Sequence, residues 1–415
     1  VLFQALDALH RRDGGRLLAS LMREFRSFDA AEDGLHDAYA KALQRWPADG
    51  VPDNPSGWIA TVSRRAILDR VKHQRHQVST EHGLLATLEA PPLPEIDEGP
   101  SPIADERLNL IFLCCHPALA QPAQVALTLR SLCGLTTREI ARAFVEPEAT
   151  TAQKITRAKR KIAEARIAFD LPHRDGLSSR LGAVLAVIYL IFNEGYVASI
   201  GGELSRPNVC GEALRLGRLL HELMSADAET GGLLALMLFH ESRREARIDG
   251  DGALVVLEQQ DRSRWNRVII AEAHTILDDT LSKRHPGPYQ IQAAIAALHA
   301  RAATAAQTDW LQICGLYSAL LRHLPNPVVE LNAAVAYAMS TSIDEGLMWI
   351  DRIERSGALS RYHLLYAAKG ELLRRVGRPQ EARIQYIRAR DLAGNSSEFR
   401  YLDRRILEVS QVTSR

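Results

Sequence analysis

The stretch "GLTTREIARAFVEPEATTAQKITRAKRKIAEARI", Gly134 to Ile167, holds two helical patterns separated by a short polar break, and the second is crowded with Lys and Arg. In "TTREIARAF", Ile140, Ala141 and Phe144 fall on one face. In "TAQKITRAKRKIAEARI", Ile155, Ala158, Ile162 and Ala165 recur at the spacing that buries one side, and Thr150 or Thr151 is placed to cap the first N–H groups. A helix of this width fits the major groove of B-DNA, where Arg pairs with guanine, Gln with adenine, and Lys meets phosphate. The segment therefore reads as a helix-turn-helix whose outer face offers Gln153, Lys154, Thr156, Arg157, Lys159, Arg160 and Lys161. The plain alternative is a charged helix facing solvent on the outside of a bundle.

Composition limits the choices. The chain has 415 residues, enough for two or three domains with substantial cores. Lys and Arg total 51 against 50 Asp and Glu, a net charge of +1, so any nucleic-acid surface is local. Ala and Leu are abundant and β-branched runs scarce, which predicts an all-α protein. Cys114, Cys115, Cys133, Cys210 and Cys314 are scattered and odd in number, so a disulfide framework is not expected and a reducing, cytoplasmic setting is. The longest apolar run, "LGAVLAVIYLIF" (Leu181 to Phe192), is too short to span a bilayer, and no membrane partner is expected. No HExxH, Walker-type loop or GxGxxG appears, and "CCHP" lacks a second cysteine pair. No enzyme, metal or cofactor is expected.

Upstream of the basic pair, Ala5 to Phe28 has helical spacing. "FDAAEDGLHDAYAKALQRW" begins a second helix with Asp29 as its expected N-cap. After the turn-rich "PADGVPDNPSG", the helix "WIATVSRRAILDRVKHQRHQ" has an apolar stripe of Trp58, Ile59, Val62, Ala66, Ile67 and Val71 and a second basic side. "LEAPPLPEIDEGPSPIADE" is Pro-rich and acidic and reads as a flexible linker. The expected domains are 5–78, a linker at 79–105, a helix-turn-helix domain at 106–170, a helical extension at 171–327 and a tail at 328–415. In the tail, Leu365, Ala368, Gly370, Leu373, Gly377, Ala382, Tyr386 and Ala389 fall near the positions of a tetratricopeptide hairpin, with a weaker copy before them. Such hairpins stack and present a concave face.

The two basic segments, in this order and joined by a flexible linker, resemble bacterial RNA polymerase sigma factors of the sigma-70 superfamily, extracytoplasmic-function type. "AEDGLHDAYAKALQRW" is similar to the part of their first domain that docks on polymerase. "WIATVSRRAILDRVKHQR" is similar to the helix that opens the −10 element, and "LTLRSLCGLTTREIARAFVEPEATTAQKITRAKRKI" to the domain that reads the −35 element. "YLIFNEGY", "GEALRLGRLL", "LMLFHESRREAR" and "QQDRSRWNR" resemble the subgroup with a long C-terminal tetratricopeptide-like extension.

The resemblance implies a transcription initiation factor that binds core RNA polymerase and promoter DNA, its activity modulated by the extension. It implies −10 contacts from Arg64, Arg65, Arg70, Lys72 and Arg75, polymerase contacts from Glu32, Asp33 and Asp37, and −35 contacts from Thr150, Thr151, Gln153, Lys154, Arg157, Lys159 and Arg160. Pro147 and Thr151 depart from the family, which usually has a serine-type residue and Val there. In the extension, Asn193, Glu194, Tyr196, His240, Glu241, Arg262 and Trp265 are candidates for a regulatory pocket or interface, and a contact between extension and sigma domains is a further expectation. The rival readings are a helical protein–protein adaptor without specific DNA recognition, and a ligand-regulated or enzymatic C-terminal bundle.

Overall fold

The structure, a computed structural model, describes residues 2–81, 106–132, 134–143, 146–165, 174–196 and 207–413. Most of the expected linker, together with Cys133, Phe144 and the side chains of Arg75 and Glu194, lies outside the described residues. The protein is all-α, as its composition predicts. Among the described residues, eighteen α-helices and four short 3₁₀ turns make up the regular structure, and the one β-type pairing is an isolated bridge between Ile248 and Leu254. The chain forms two compact units, Val1–Val187 and Ile188–Arg415.

In the first unit α1 (Leu2–Phe25), α2 (Phe28–Asp49) and α3 (Pro55–Glu81) form a small bundle, α2 lying along α3. Ile59, Ala66 and Ile67 of the expected stripe are buried, whereas Val71 is exposed. Trp46 and Trp58 meet edge to face, 5.4 Å apart, and tie the end of α2 to the start of α3. The N-cap of α2 is Ser27, which accepts from Ala30 N at 3.3 Å; Asp29 lies inside the helix instead. There it still meets the positive end of the helix dipole.

The second bundle comprises α4 (Glu106–Cys114), α5 (Gln121–Leu132), α6 (Thr137–Ala143) and α7 (Glu148–Glu164), followed by α8 (Arg174–Tyr196). Thr136 and Glu139 cap α6 reciprocally. Thr136 Oγ1 accepts from Glu139 N, and Glu139 Oε2 accepts from Thr136 N at 2.7 Å. Gly134, at φ +64°, turns the chain out of α5. Cys114 and Cys115 are fully buried thiols, and burial pushes the Cys114 pKa up to about 12. The helical bundles touch directly: α1 packs on both α4 and α5. A Cβ on Gly15 would stand 1.9 Å from the Leu132 carbonyl oxygen, so only glycine allows α1 to lie this close to the end of α5.

The second unit contains α9 (Pro207–Leu223), α10 (Ala228–Glu241), α11 (Arg267–Ser282), α12 (Pro288–Arg301) and α13 (Trp310–His323). Then come α14 (Pro327–Ser340), α15 (Ile343–Ser356), α16 (His363–Arg375), α17 (Pro379–Leu392) and α18 (Ser396–Thr413). The last five form tetratricopeptide-like pairs, α14 with α15 and α16 with α17, and α18 packs on α17. Small residues set the spacing: Gly346 lies against Ala338, and Gly370 against the ring of Tyr386. Leu365, Leu373, Ala382, Tyr386 and Ala389 are all buried, as the repeat pattern predicts.

A segment between α10 and α11, roughly residues 247–266, runs against the inner helices of this tail. Leu254 N donates to Ser397 O at 3.3 Å, Arg400 donates to Gly252 O at 2.8 Å, and Arg404 pairs with Asp249 at 2.8 Å. Arg375 of α16 pairs with Glu258 of the segment. The inner face of the hairpins is therefore partly covered by the chain itself.

Candidate nucleic-acid interface

On α7, Thr151, Ile155, Ala158 and Ile162 are buried, leaving the opposite side to solvent. Thr150, Gln153, Arg157 and Arg160 are exposed and follow one another at spacings of three and four, one stripe along the helix. Arg157 has no side-chain partner among the described residues, and Arg160 has only an exposed contact with Glu164 at 3.5 Å. Thr151 does not belong to the reading surface. It is fully buried, and its hydroxyl donates to Glu146 at 2.6 Å. Its place where the resembled family has Val was the available signal for that burial. Nor does Thr150 or Thr151 cap the helix, because α7 begins at Glu148 with Pro147 as N-cap.

The two remaining basic candidates on α7 serve as anchors here. Lys154 is half-buried and pairs with Glu146. Lys159 reaches across to the first bundle, where Nζ lies 2.5 Å from Glu32 and 5.6 Å from the centroid of the Phe28 ring. Its side chain is 26% exposed and that of Glu32 18%, so the pair is shielded more than an ordinary surface ion pair.

On α3, Arg65 and Lys72 are exposed without side-chain partners among the described residues. Arg64 pairs with Glu24 at 2.6 Å. Arg70 is clasped by Asp33 at 2.6 Å and Asp37 at 2.8 Å. All three acidic candidates for polymerase docking therefore already face a cation of the same chain: Glu32 meets Lys159, and Asp33 and Asp37 meet Arg70. Sequence periodicity carries no signal for these pairings, because each joins residues that are distant along the chain.

Within the second unit, the candidate residues of the extension converge in part. Tyr196 stacks with Phe192 at 5.5 Å and lies 5.3 Å from the His240 ring. Arg247 sits 3.6 Å from the Tyr196 ring centroid and donates to the Tyr196 carbonyl. Arg243 donates to His240 Nδ1 at 2.7 Å, which leaves the proton of a neutral His240 on Nε2. Glu241 pairs with Arg244 at 2.5 Å, and burial raises its pKa. Arg262 and Trp265 are buried in the crossing segment rather than displayed on a docking surface. Arg262 caps the C-terminal end of α12 through the carbonyls of His299 and Ala302. Arg247, buried at the centre of this cluster, is the residue that sequence reading missed.

The histidines here make stability depend on pH. Burial, with Arg243 and Arg247 nearby, holds the His240 pKa well below its usual range. Burial, Arg243 and Arg262 lower His299 to about 4. In the unfolded chain both take up a proton near pH 6.5. Their neutral forms therefore contribute stability above that pH, and the contribution is lost as pH falls toward 4. Each is expected to steepen the acid limb by up to about 1.4 kcal/mol per pH unit. Urea midpoints of the second unit between pH 7.5 and 5 check this. His299→Gln should flatten the limb, and an unchanged slope in that variant would refute the assignment.

Three protein families match along the chain. Residues 9–77 match sigma-70 region 2, residues 109–162 match sigma-70 region 4, and residues 180–281 match a family of unknown function, DUF6596. Two stretches of the chain thus match regions of the sigma-70 superfamily. Over 394 residues it is 42% identical to an uncharacterized protein, R00370, of Rhizobium meliloti strain 1021, covering 93% of this chain and 91% of that one, and it is a member of the same family. Over 164 residues it is 27% identical to the probable ECF RNA polymerase sigma factor SigI of two Mycobacterium tuberculosis strains, 39% of this chain and 56% of theirs. The region 2 match spans α1 to α3, and the region 4 match spans α4 to α7. The sigma-70 domains are non-catalytic. Among the described residues no cluster of potential metal ligands occurs, and no helix is long and apolar enough to cross a membrane.

Proposed function

We propose that this protein is a cytoplasmic transcription initiation factor of the extracytoplasmic-function type, which binds core RNA polymerase and directs it to particular promoters. The observation that carries this reading is the exposed stripe Thr150–Gln153–Arg157–Arg160 on a helix whose other side is locked into the region 4 bundle. α6 and α7 act as a helix-turn-helix, with Gln153 and Arg157 reaching base edges and flanking cations meeting phosphates. Arg65 and Lys72, with Arg64, Arg70 and Arg75, act at the −10 element. Glu32, Asp33 and Asp37 serve the polymerase.

The two sigma regions cannot do this in their packed arrangement. The −35 and −10 elements are about 25 base pairs apart, roughly 80 Å of duplex, whereas Lys159 touches Glu32. Engagement requires that region 4 leave region 2. Lys159 then becomes a phosphate contact, and Glu32 is released to the polymerase. Holding the regions together keeps Lys159 and Glu32 occupied by each other until polymerase competes for Glu32. The extension modulates this equilibrium.

Reconstitution with core polymerase, followed by mapping of transcription starts, tests the reading. Discrete starts that depend on this protein support it; polymerase binding without promoter selection would favour an adaptor. Arg157→Ala is expected to weaken binding to a selected promoter by about 1–3 kcal/mol, measured with holoenzyme, and random DNA by much less. Equal losses on both would reduce Arg157 to a phosphate contact.

A further inference from the structure

Between the crossing segment and the inner helices of the tail lies a half-enclosed cavity of about 540 Å³. Its volume falls in the range of roughly 300–1,000 Å³ typical of sites for small organic ligands. Leu254 and Leu257 of the segment form one wall, Val335 and Met339 of α14 and Ala367 of α16 form the other, and Trp310 stands at the α13 end.

The charged groups around it fall into two kinds. Glu258 and Glu371 are compensated by arginines, and Glu398 lies against a histidine. Glu258 pairs with Arg375, Glu371 is held by Arg374, Arg375 and Arg405, and Glu398 faces His363 at 3.4 Å. Arg262 has no such partner. It lines the cavity, is only 7% exposed, and has no carboxylate within ion-pair distance among the described residues. Its Nη1 donates to the carbonyls of His299 at 2.6 Å and Ala302 at 2.5 Å, and its Nη2 reaches Thr308 Oγ1 at 3.4 Å. Two of its five N–H groups, Nε–H and one on Nη2, have no acceptor among the described residues. Free donors on Nε and Nη2 are what a guanidinium offers to a carboxylate. Burial lowers its pKa, as do Arg243 and Arg267, and no acid nearby opposes them. A guanidinium keeps its proton even so, so a positive charge stands in a largely apolar wall, offset by the carbonyl dipoles at the end of α12 and by the Trp265 ring 5.0 Å away, but by no carboxylate among the described residues.

We propose that the cavity binds an apolar monocarboxylate, its body between the crossing segment and α14/α16 and its carboxylate on the free Nε and Nη2 donors of Arg262. A peptide is disfavoured because the chain's own segment already lies where an extended peptide would run along the inner helices. A cationic ligand is disfavoured because Glu258 and Glu371 are already paired and Glu398 lies against a histidine. The ligand bridges the crossing segment, which falls in the DUF6596 match, to the tetratricopeptide-like tail. The inference rests on the second unit alone and stands or falls separately from the proposed role in transcription.

Isothermal titration of the full-length chain with decanoate, 1-decanol and decylamine tests it. Decanoate should bind saturably at one site per chain, at least about tenfold more tightly than 1-decanol, a difference of about 1.4 kcal/mol, with decylamine weakest. Arg262→Gln should erase the preference for decanoate. Because Arg262 also holds the end of α12, Ala367→Trp serves as the independent variant: it fills the cavity from the opposite wall and should abolish binding while leaving Arg262 in place. Equal affinity for decanoate and 1-decanol would overturn the role of the charge. Absence of saturable decanoate binding, or undiminished binding to Ala367→Trp, would overturn the site.

Discussion

Tyr386→Ala is expected to remove about 3–5 kcal/mol from the stability of the C-terminal unit, the loss typical of deleting a large buried ring. Tyr386 of α17 is fully buried. Its ring lies 3.0 Å from where a Cβ on Gly370 would be, so α16 and α17 approach each other over this ring and nothing nearby can fill the space it leaves. Its hydroxyl donates to Glu371 at 2.9 Å. Tyr386→Phe separates the two contributions. Glu371 keeps its three arginine partners in that variant, so the loss should be only about 1 kcal/mol. Chemical denaturation followed by a probe in the C-terminal unit reads both. The chain has two units, so a single global transition must not be assumed. Should both variants cost the same, the hydroxyl rather than the packed ring would be holding the hairpin.

Tyr386 was legible in the sequence because a tetratricopeptide hairpin alternates small and large residues at fixed offsets, and Gly370, Ala382 and Ala389 stand at the expected places around it. The helix α7 was legible for a similar reason: Ile155, Ala158 and Ile162 recur with the helical period and leave Gln153 and Arg157 outside. Periodicity fails where contacts are not local. Lys154 and Lys159 look like Arg157 in the sequence, yet tertiary carboxylates, Glu146 and Glu32, turn them into anchors. Thr151 is polar and still buried, because Glu146 accepts its hydroxyl. The crossing segment has neither a helical nor a strand period. Its position is set by single bonds to Ser397, Arg400 and Arg404, each more than 130 residues away along the chain. The cavity it encloses could not be foreseen without them.

The contact between the two sigma regions has one point where a small change should have a large effect. Gly15→Ala adds a methyl group where the Leu132 carbonyl oxygen stands, 1.9 Å away. The obstacle is backbone at the end of α5, so rotation of a side chain cannot relieve it. Overpacking of this kind costs about 1–3 kcal/mol, and at the upper end it shifts the balance between packed and separated regions by about 100-fold. Within α1 itself the same change favours the helix by about 1 kcal/mol. Opening is thereby distinguished from unfolding: helical content should hold or rise while the regions part. Dyes placed at Arg65 on α3 and at Arg160 on α7 should report a longer mean distance in the variant. If separation is what polymerase binding requires, core polymerase should bind the variant more tightly than the parent. Lys159→Glu should act in the same direction, since it sets two carboxylates against each other at Glu32. An unchanged dye distance in Gly15→Ala would show that α1 yields without losing α5. Longer distance without tighter polymerase binding would show that the packed arrangement does not restrain the factor.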